Sequence, residues 1–120
     1  MKELEWIGSS LKDLRGFPES VKKEMGHALY VAQSGGKHKS AKPLKGFGGT
    51  KVLEVVHNDG SGTYRTMYTA QFDEVVYVLH AFQKKSKTGI KTPNQEIDLV
   101  EQRLKWAQEK HKERFKVQKR

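Results

Sequence analysis

The sequence predicts an α+β domain in which a small antiparallel sheet is flanked by two N-terminal helices and one C-terminal helix. Three observations carry this. Val21, Met25, Ala28, Leu29 and Ala32 recur at steps of three and four residues, the spacing of an amphipathic helix. Three runs rich in β-branched and aromatic residues, 52–57, 63–69 and 75–82, then follow one another across short polar connections. Finally Ile97, Val100, Leu104 and Ala107 return to helical spacing.

Taken in order, residues 3–8 alternate weakly and read as a short strand, with Leu4, Trp6 and Ile7 apolar. Ser9 and Ser10 offer an N-cap to a brief helix carrying Leu11 and Leu14, which Gly16 ends. Pro18 occupies a first helical position, where its fixed φ is already suitable, and Gly35-Gly36 stops the second helix. Residues 37–51 are rich in Lys, Gly and Ser, include Pro43 and show no periodicity, so they read as a long basic connection anchored by Leu44 and Phe47. Loops of that length often carry function. Asn58-Asp59-Gly60-Ser61-Gly62 tolerates positive φ and joins the first two strands, and residues near 71–73 join the next pair. In the last run Val75, Tyr77, Leu79 and Ala81 alternate with Val76, Val78, His80 and Phe82, so both faces are apolar. That pattern predicts the central strand of the sheet, with helices over one face. Thr92-Pro93-Asn94-Gln95 reads as a capping box opening the last helix, whose polar end runs on past Trp106. The expected organisation is one domain over residues 1–109 and a basic C-terminal extension over residues 110–120.

With 120 residues, one modest core is the expectation. The chain has no cysteine, which excludes disulfides, thiolate metal sites and cysteine nucleophiles and suits a reducing compartment. Residues 1–8 lack the basic start and apolar run of a secretion signal, and nowhere do about 18 apolar residues follow one another. A soluble, cytoplasmic chain with no membrane partner is expected. Lys plus Arg number 23 against 14 Asp plus Glu, a net charge of +9, which favours polyanionic partners and nucleic acid first. The surplus is blocked: Lys37, Lys39, Lys42, Lys45 and Lys51 form one group, Lys84, Lys85, Lys87 and Lys91 a second, and residues 110–120 a third.

No phosphate-binding glycine loop, paired-histidine metal motif or nucleophile elbow is present. Gly46-Phe47-Gly48-Gly49 precedes a strand where a dinucleotide turn needs a helix, and the five histidines are scattered, so neither a cofactor nor a metal is expected. His80, in an apolar strand, has two readings: an acid–base group, from the ordinary range of imidazole, and, favoured by its surroundings, a core histidine with a satisfied hydrogen bond. Arg65, in mid-strand, is costly to desolvate and has two readings: a structural pair with Glu54 on the neighbouring strand, or a clamp for a phosphate. Phe82-Gln83-Lys84-Lys85 brings an aromatic ring and two cations to one sheet edge, a combination suited to RNA.

Tyr64-Arg65-x-x-Tyr68, then the run Val78-Leu79-His80-Ala81-Phe82-Gln83-Lys84-Lys85-Ser86, then Thr92-Pro93 opening a helix, preceded by Pro43-Leu44-Lys45-Gly46 and Leu53-Glu54-Val55, resemble in order the RelE/HigB superfamily of toxins. The likeness is to its phage-derived HigB-like branch in particular. It implies the toxin of a type II toxin-antitoxin system, a metal-independent endoribonuclease that cleaves mRNA on the ribosome by attack of the ribose 2′-hydroxyl. The implied partners are mRNA, the ribosome and a cognate antitoxin of helix-turn-helix type. By the resemblance Arg65 holds the scissile phosphate, and Lys84 or Lys85 supplies the cation at the end of the last strand. Glu54 and His57, with Lys51, lie on or beside the strand that supplies the base, but alternation puts Glu54 and His57 on opposite faces and leaves the base open. Lys45, Lys51 and Lys87 would contact RNA, and Tyr68 or Phe82 would stack a base. The Arg, His or Tyr with which several members end the last strand or the chain has no match here. Two further readings use the same basic face: a non-catalytic RNA- or DNA-binding module, and a protein-interaction subunit in which Arg65 is a structural ion pair.

Overall fold

The computed structural model describes residues 1–49, 51–84 and 92–116. In chain order the elements are β1 (Glu3–Trp6), α1 (Ser10–Arg15), α2 (Glu19–Gln33), β2 (Ala41–Pro43), β3 (Val52–Asn58), β4 (Thr63–Thr69), β5 (Val75–Lys84) and α3 (Asn94–Phe115). The strands form one five-stranded sheet in the order β1-β5-β4-β3-β2. Val21, Met25, Ala28 and Leu29 of α2 pack with Leu14 and Phe17 on Leu53, Val55, Tyr68, Val76 and Val78. Val100, Leu104 and Ala107 of α3 pack on Val52, Met67, Tyr77 and Leu79 from the other side. Helices therefore cover both faces, where the sequence predicts one.

Three other expectations change. β1 pairs with β5 in parallel, from Glu3↔Val75 to Trp6↔Val78, so the sheet is mixed. Between these strands the chain passes through α1, α2 and the rest of the sheet, and it returns beside the edge strand β1 running the same way. β4, not β5, is central; β5 is apolar on both faces because a helix lies over each. The basic connection contains β2, antiparallel to β3 through Ala41↔Val55, Lys42↔Glu54 and Pro43↔Leu53. Three residues, one of them Pro, carry no strand signal, yet an edge is where a sheet tolerates Pro. Leu44 and Phe47 anchor the segment that follows, both buried as expected.

A bulge resets the alternation of β5. Met67 pairs with His80 but Tyr68 with Val78, so Leu79 is the extra residue. Beyond it His80 and Phe82 join Tyr77 and Leu79 on the α3 face, and Ala81 joins Val76 and Val78 beneath α2, in place of the strict alternation read from sequence. The displaced backbone finds side-chain partners. Arg103 of α3 donates to the Leu79 carbonyl at 2.9 Å, and the Tyr77 N–H donates to the Thr69 hydroxyl at 3.0 Å.

Pro18 and Pro93 sit at the N-cap positions of α2 and α3, one residue earlier than predicted, and neither α1 nor α3 carries a side-chain cap. Ser10 instead ties α1 to the sheet by donating to the Val78 carbonyl at 3.0 Å. Gly8, between β1 and α1, has φ +57°, and a Cβ there would stand 2.9 Å from the Arg103 guanidinium. Gly8→Ala is expected to lower stability by about 1–2 kcal/mol, seen as an earlier urea midpoint with an unchanged slope.

Residues 110–116, expected as an extension, continue α3 and dock its end on the start of the sheet. Lys110 pairs with Glu5, and Arg114 with Glu3 at 2.5 Å. His111 lies between the Phe72 and Phe115 rings. Burial pushes the Tyr77 phenol up to about 12, so it stays protonated and donates to His111 Nδ1 at 2.9 Å, leaving Nε2–H to donate to Glu74 at 3.0 Å.

Candidate functional site

The register of β2 to β5 assembles a cleft on the sheet face where α3 begins. Lys42 lies directly across from Glu54, Val56 across from Arg65, Arg65 across from Phe82, and Thr63 across from Lys84. Side chains two apart share a face, so Lys42, Glu54, Arg65, Phe82 and Lys84 all project toward α3. Among the described residues the start of α3 meets this face at Glu54, through Thr92. The resulting cleft, about 570 Å³, is lined by Lys39, Lys42, Glu54, Asn58, Arg65 and Lys84.

Its floor is a charge pair between a buried guanidinium and a half-buried carboxylate. Arg65 is 5% exposed and its Nη1 donates to Glu54 Oε2 at 2.9 Å. Thr92, immediately before the N-cap of α3, donates its hydroxyl to the same oxygen at 2.8 Å and accepts from Arg65 Nη1 at 3.5 Å. The predicted capping role of Thr92 is thus replaced: a half-buried carboxylate from the sheet accepts its hydrogen bond. The structural pair with Glu54 is the reading of Arg65 that the contacts show, and Arg65 also lines a cleft with three lysines. Because Arg65 is buried, breaking the pair leaves its guanidinium without this carboxylate, so the pair holds both groups in one orientation.

Glu54 also borders a second hollow of about 650 Å³, lined by Pro43, Leu44, Lys45, Thr92, Asn94 and Ile97. The two lobes meet at Glu54. One is cationic, and the other has apolar walls with an amide and an ammonium at its edge.

Among the residues singled out from sequence, the cleft brings together Arg65, Glu54 and Lys84, with Phe82 beside Arg65 in the register and Lys45 on the second lobe. His57 pairs with Tyr64 and projects beneath α2, on the opposite face, so it cannot share a substrate atom with Arg65. Tyr68 is a correction: its ring is 1% exposed inside the α2 core, leaving no face for a base. Lys51 is exposed just before β3, five positions from Val56, roughly 16 Å along the strand. Lys85 and Lys87 lie outside the described residues. Lys39 and Lys42, which sequence reading treats only as part of a charge block, become lining residues through β2, and Thr92 enters through a contact 38 residues away in sequence.

Burial pushes the Tyr68 phenol up to about 12, and its hydroxyl has no partner among the described residues. The unfolded chain ionises this phenol from its ordinary value of 10, whereas the folded chain keeps it neutral, so stability is intact below pH 10 and lost between 10 and 12. Tyr68→Phe is expected to hold or raise stability by about 1 kcal/mol and to soften the alkaline loss, as urea unfolding at neutral and alkaline pH would show.

His80 is the buried histidine expected from sequence. Arg103 Nη1 approaches its Nδ1 at 3.4 Å and can only donate, so Nε2 carries the proton and gives it to Glu96 at 2.5 Å. The Phe82 ring stacks on the imidazole, with centroids 5.1 Å apart. This network ties the first turn of α3 to β5 and keeps the edge of the cleft in place. Among the described residues no three His, Asp or Glu side chains converge as a metal would need.

The model of the family described as Phage derived protein Gp49-like (DUF891) matches residues 12–105, which span α1 to the first half of α3. No curated protein matches the chain. Among solved structures, one similar chain is the E. coli toxin RelE in the free state, carrying two arginine-to-alanine substitutions. The TM-score is 0.53 and the identity 17%, over 68% of this chain and 81% of that one. At that identity the likeness is one of fold.

Proposed function

The chain belongs to the phage-derived Gp49-like family, and on that premise we propose that it is the toxin of a type II toxin-antitoxin system. In this reading it is an endoribonuclease that cuts mRNA, engaged on the ribosome, without a metal. The observation that carries the reading is the cleft that gathers Arg65, Lys39, Lys42 and Lys84 around one half-buried carboxylate, Glu54.

The chemistry has three demands, and this chain has a group for each. A ribose 2′-hydroxyl must lose its proton, a phosphorane with extra negative charge must be stabilised, and the departing 5′-oxygen must gain a proton. Glu54 is the acceptor: Arg65 and Thr92 hold Oε2, and the residue lines both lobes. Arg65 and the lysines neutralise the phosphate, with the planar guanidinium suited to two of its oxygens. Lys84, at the end of β5, is the proton donor to the leaving oxygen. The 2′-oxygen forms a bond to phosphorus as the bond to the 5′-oxygen breaks, which leaves a 2′,3′-cyclic phosphate and a free 5′-hydroxyl.

The implied antitoxin would act by covering this cleft or by drawing α3, and with it Thr92, away from Glu54. A cytoplasmic site of action goes with such a target. Purified protein incubated with free RNA in excess EDTA, and separately with mRNA on translating ribosomes, tests the reading. Cleavage leaving 2′,3′-cyclic phosphate ends, blocked by a 2′-deoxy substitution at the cut, is the expected result. Salt-dependent RNA binding with no such ends on isolated RNA or on translating ribosomes would support the non-catalytic module instead.

A further inference from the structure

We propose that the second lobe, between the end of β2 and the start of α3, holds the base of the nucleotide whose 2′-hydroxyl attacks, with Asn94 reading its edge. The inference rests on the nuclease reading and deepens it by placing the base selection of the enzyme at the nucleotide 5′ of the cut.

The two lobes share Glu54. With the phosphate among Arg65 and the lysines, and the attacking hydroxyl at the Glu54 carboxylate, the ribose straddles the junction and its base leaves on the side away from the cations. There it meets a hollow of about 650 Å³, within the range of small-molecule sites, whose walls are the apolar side chains of Pro43, Leu44 and Ile97. Apolar walls accept the flat faces of any base, so discrimination has to come from polar groups at the edge. Thr92 is occupied by Glu54 at 2.8 Å, and Lys45 offers donors alone. Asn94, exposed at the first position of α3, offers a donor pair and an acceptor on one amide, which a base edge can match. Its backbone belongs to a helix held by the Glu96–His80 contact, so the amide is presented from a fixed element.

The test titrates the wild-type protein with the four nucleoside 3′-monophosphates and with ribose 5-phosphate, following Leu44 and Ile97 methyl and Arg65 side-chain NMR signals, alongside cleavage of RNAs randomised around the cut. Nucleotides, unlike ribose phosphate, should move Leu44 and Ile97. Asn94→Ala should shrink the preference at the 5′ nucleotide by about three- to tenfold, the worth of one hydrogen bond. Ile97→Trp, which narrows the lobe, should weaken every nucleotide while sparing ribose phosphate. If cleavage persists and ribose phosphate moves Arg65 while Leu44 and Ile97 stay silent, or if Asn94→Ala leaves the 5′ preference intact, this proposal is overturned and the nuclease reading stands. If no phosphate compound moves Arg65 and no RNA is cut, both fall.

Discussion

Arg65→Ala is expected to abolish RNA cleavage and to cost about 2–3 kcal/mol of stability, because it leaves the half-buried Glu54 without its charged partner. The two losses have different origins and can be separated. Arg65 is 5% exposed and its Nη1 serves Glu54 at 2.9 Å, so part of the effect is structural whatever the enzyme does. Arg65→Lys keeps the positive charge beside Glu54 and should remain folded by circular dichroism and thermal melting. It gives up the planar fork that can share two phosphate oxygens while still holding a carboxylate. Its cleavage rate is therefore expected to fall by roughly a hundredfold or more, the scale of losing one well-placed charge-stabilising donor. Full activity in a folded Arg65→Lys protein would reduce Arg65 to a structural ion.

Glu54→Gln should lower cleavage by roughly a hundred- to ten-thousandfold, the usual worth of a positioned proton acceptor, with KM for RNA little changed or improved. The amide is nearly isosteric and can still accept from Thr92 and Arg65, so the cleft keeps its shape. Removing a negative charge among four cations should also tighten RNA binding. That combination, tighter binding with a lost rate, is opposite to what a purely structural Glu54 would give. Thr92→Val offers a check on the same geometry: it frees Glu54 from one partner and should lower kcat, with Thr92→Ser restoring it.

How much of this was legible in the sequence follows from how local each feature is. The periodicity of residues 21–32, the turn residues at 58–62 and the runs of β4 and β5 are encoded within a few residues, and all appear where expected. β2 is set by what lies beside it, since Ala41 is the one side chain of its three that is buried. The β5 bulge left no trace because Val75 to Phe82 is apolar on both faces, so a phase shift exposes nothing. The Glu54–Arg65 pair was anticipated because adjacent strands of a hairpin bring it together. Thr92 was misread as a cap because a local partner was assumed where the Glu54 carboxylate from β3 competes more strongly. Tyr68 and Arg65 lie three apart on one strand and hence on opposite faces; the motif containing them mixes a core residue with a cleft residue.

The central claim is that Arg65, Lys42 and Lys84 grip a phosphate over Glu54. It is tested most directly by solving the complex with an RNA carrying a single 2′-deoxynucleotide at the mapped cut site, or by mapping it through side-chain NMR signals. The account predicts a phosphate within hydrogen-bond distance of the Arg65 guanidinium and the 2′-carbon facing the Glu54 carboxylate. RNA seated elsewhere, with the Arg65–Glu54 pair undisturbed and its signals unmoved at saturation, would contradict it.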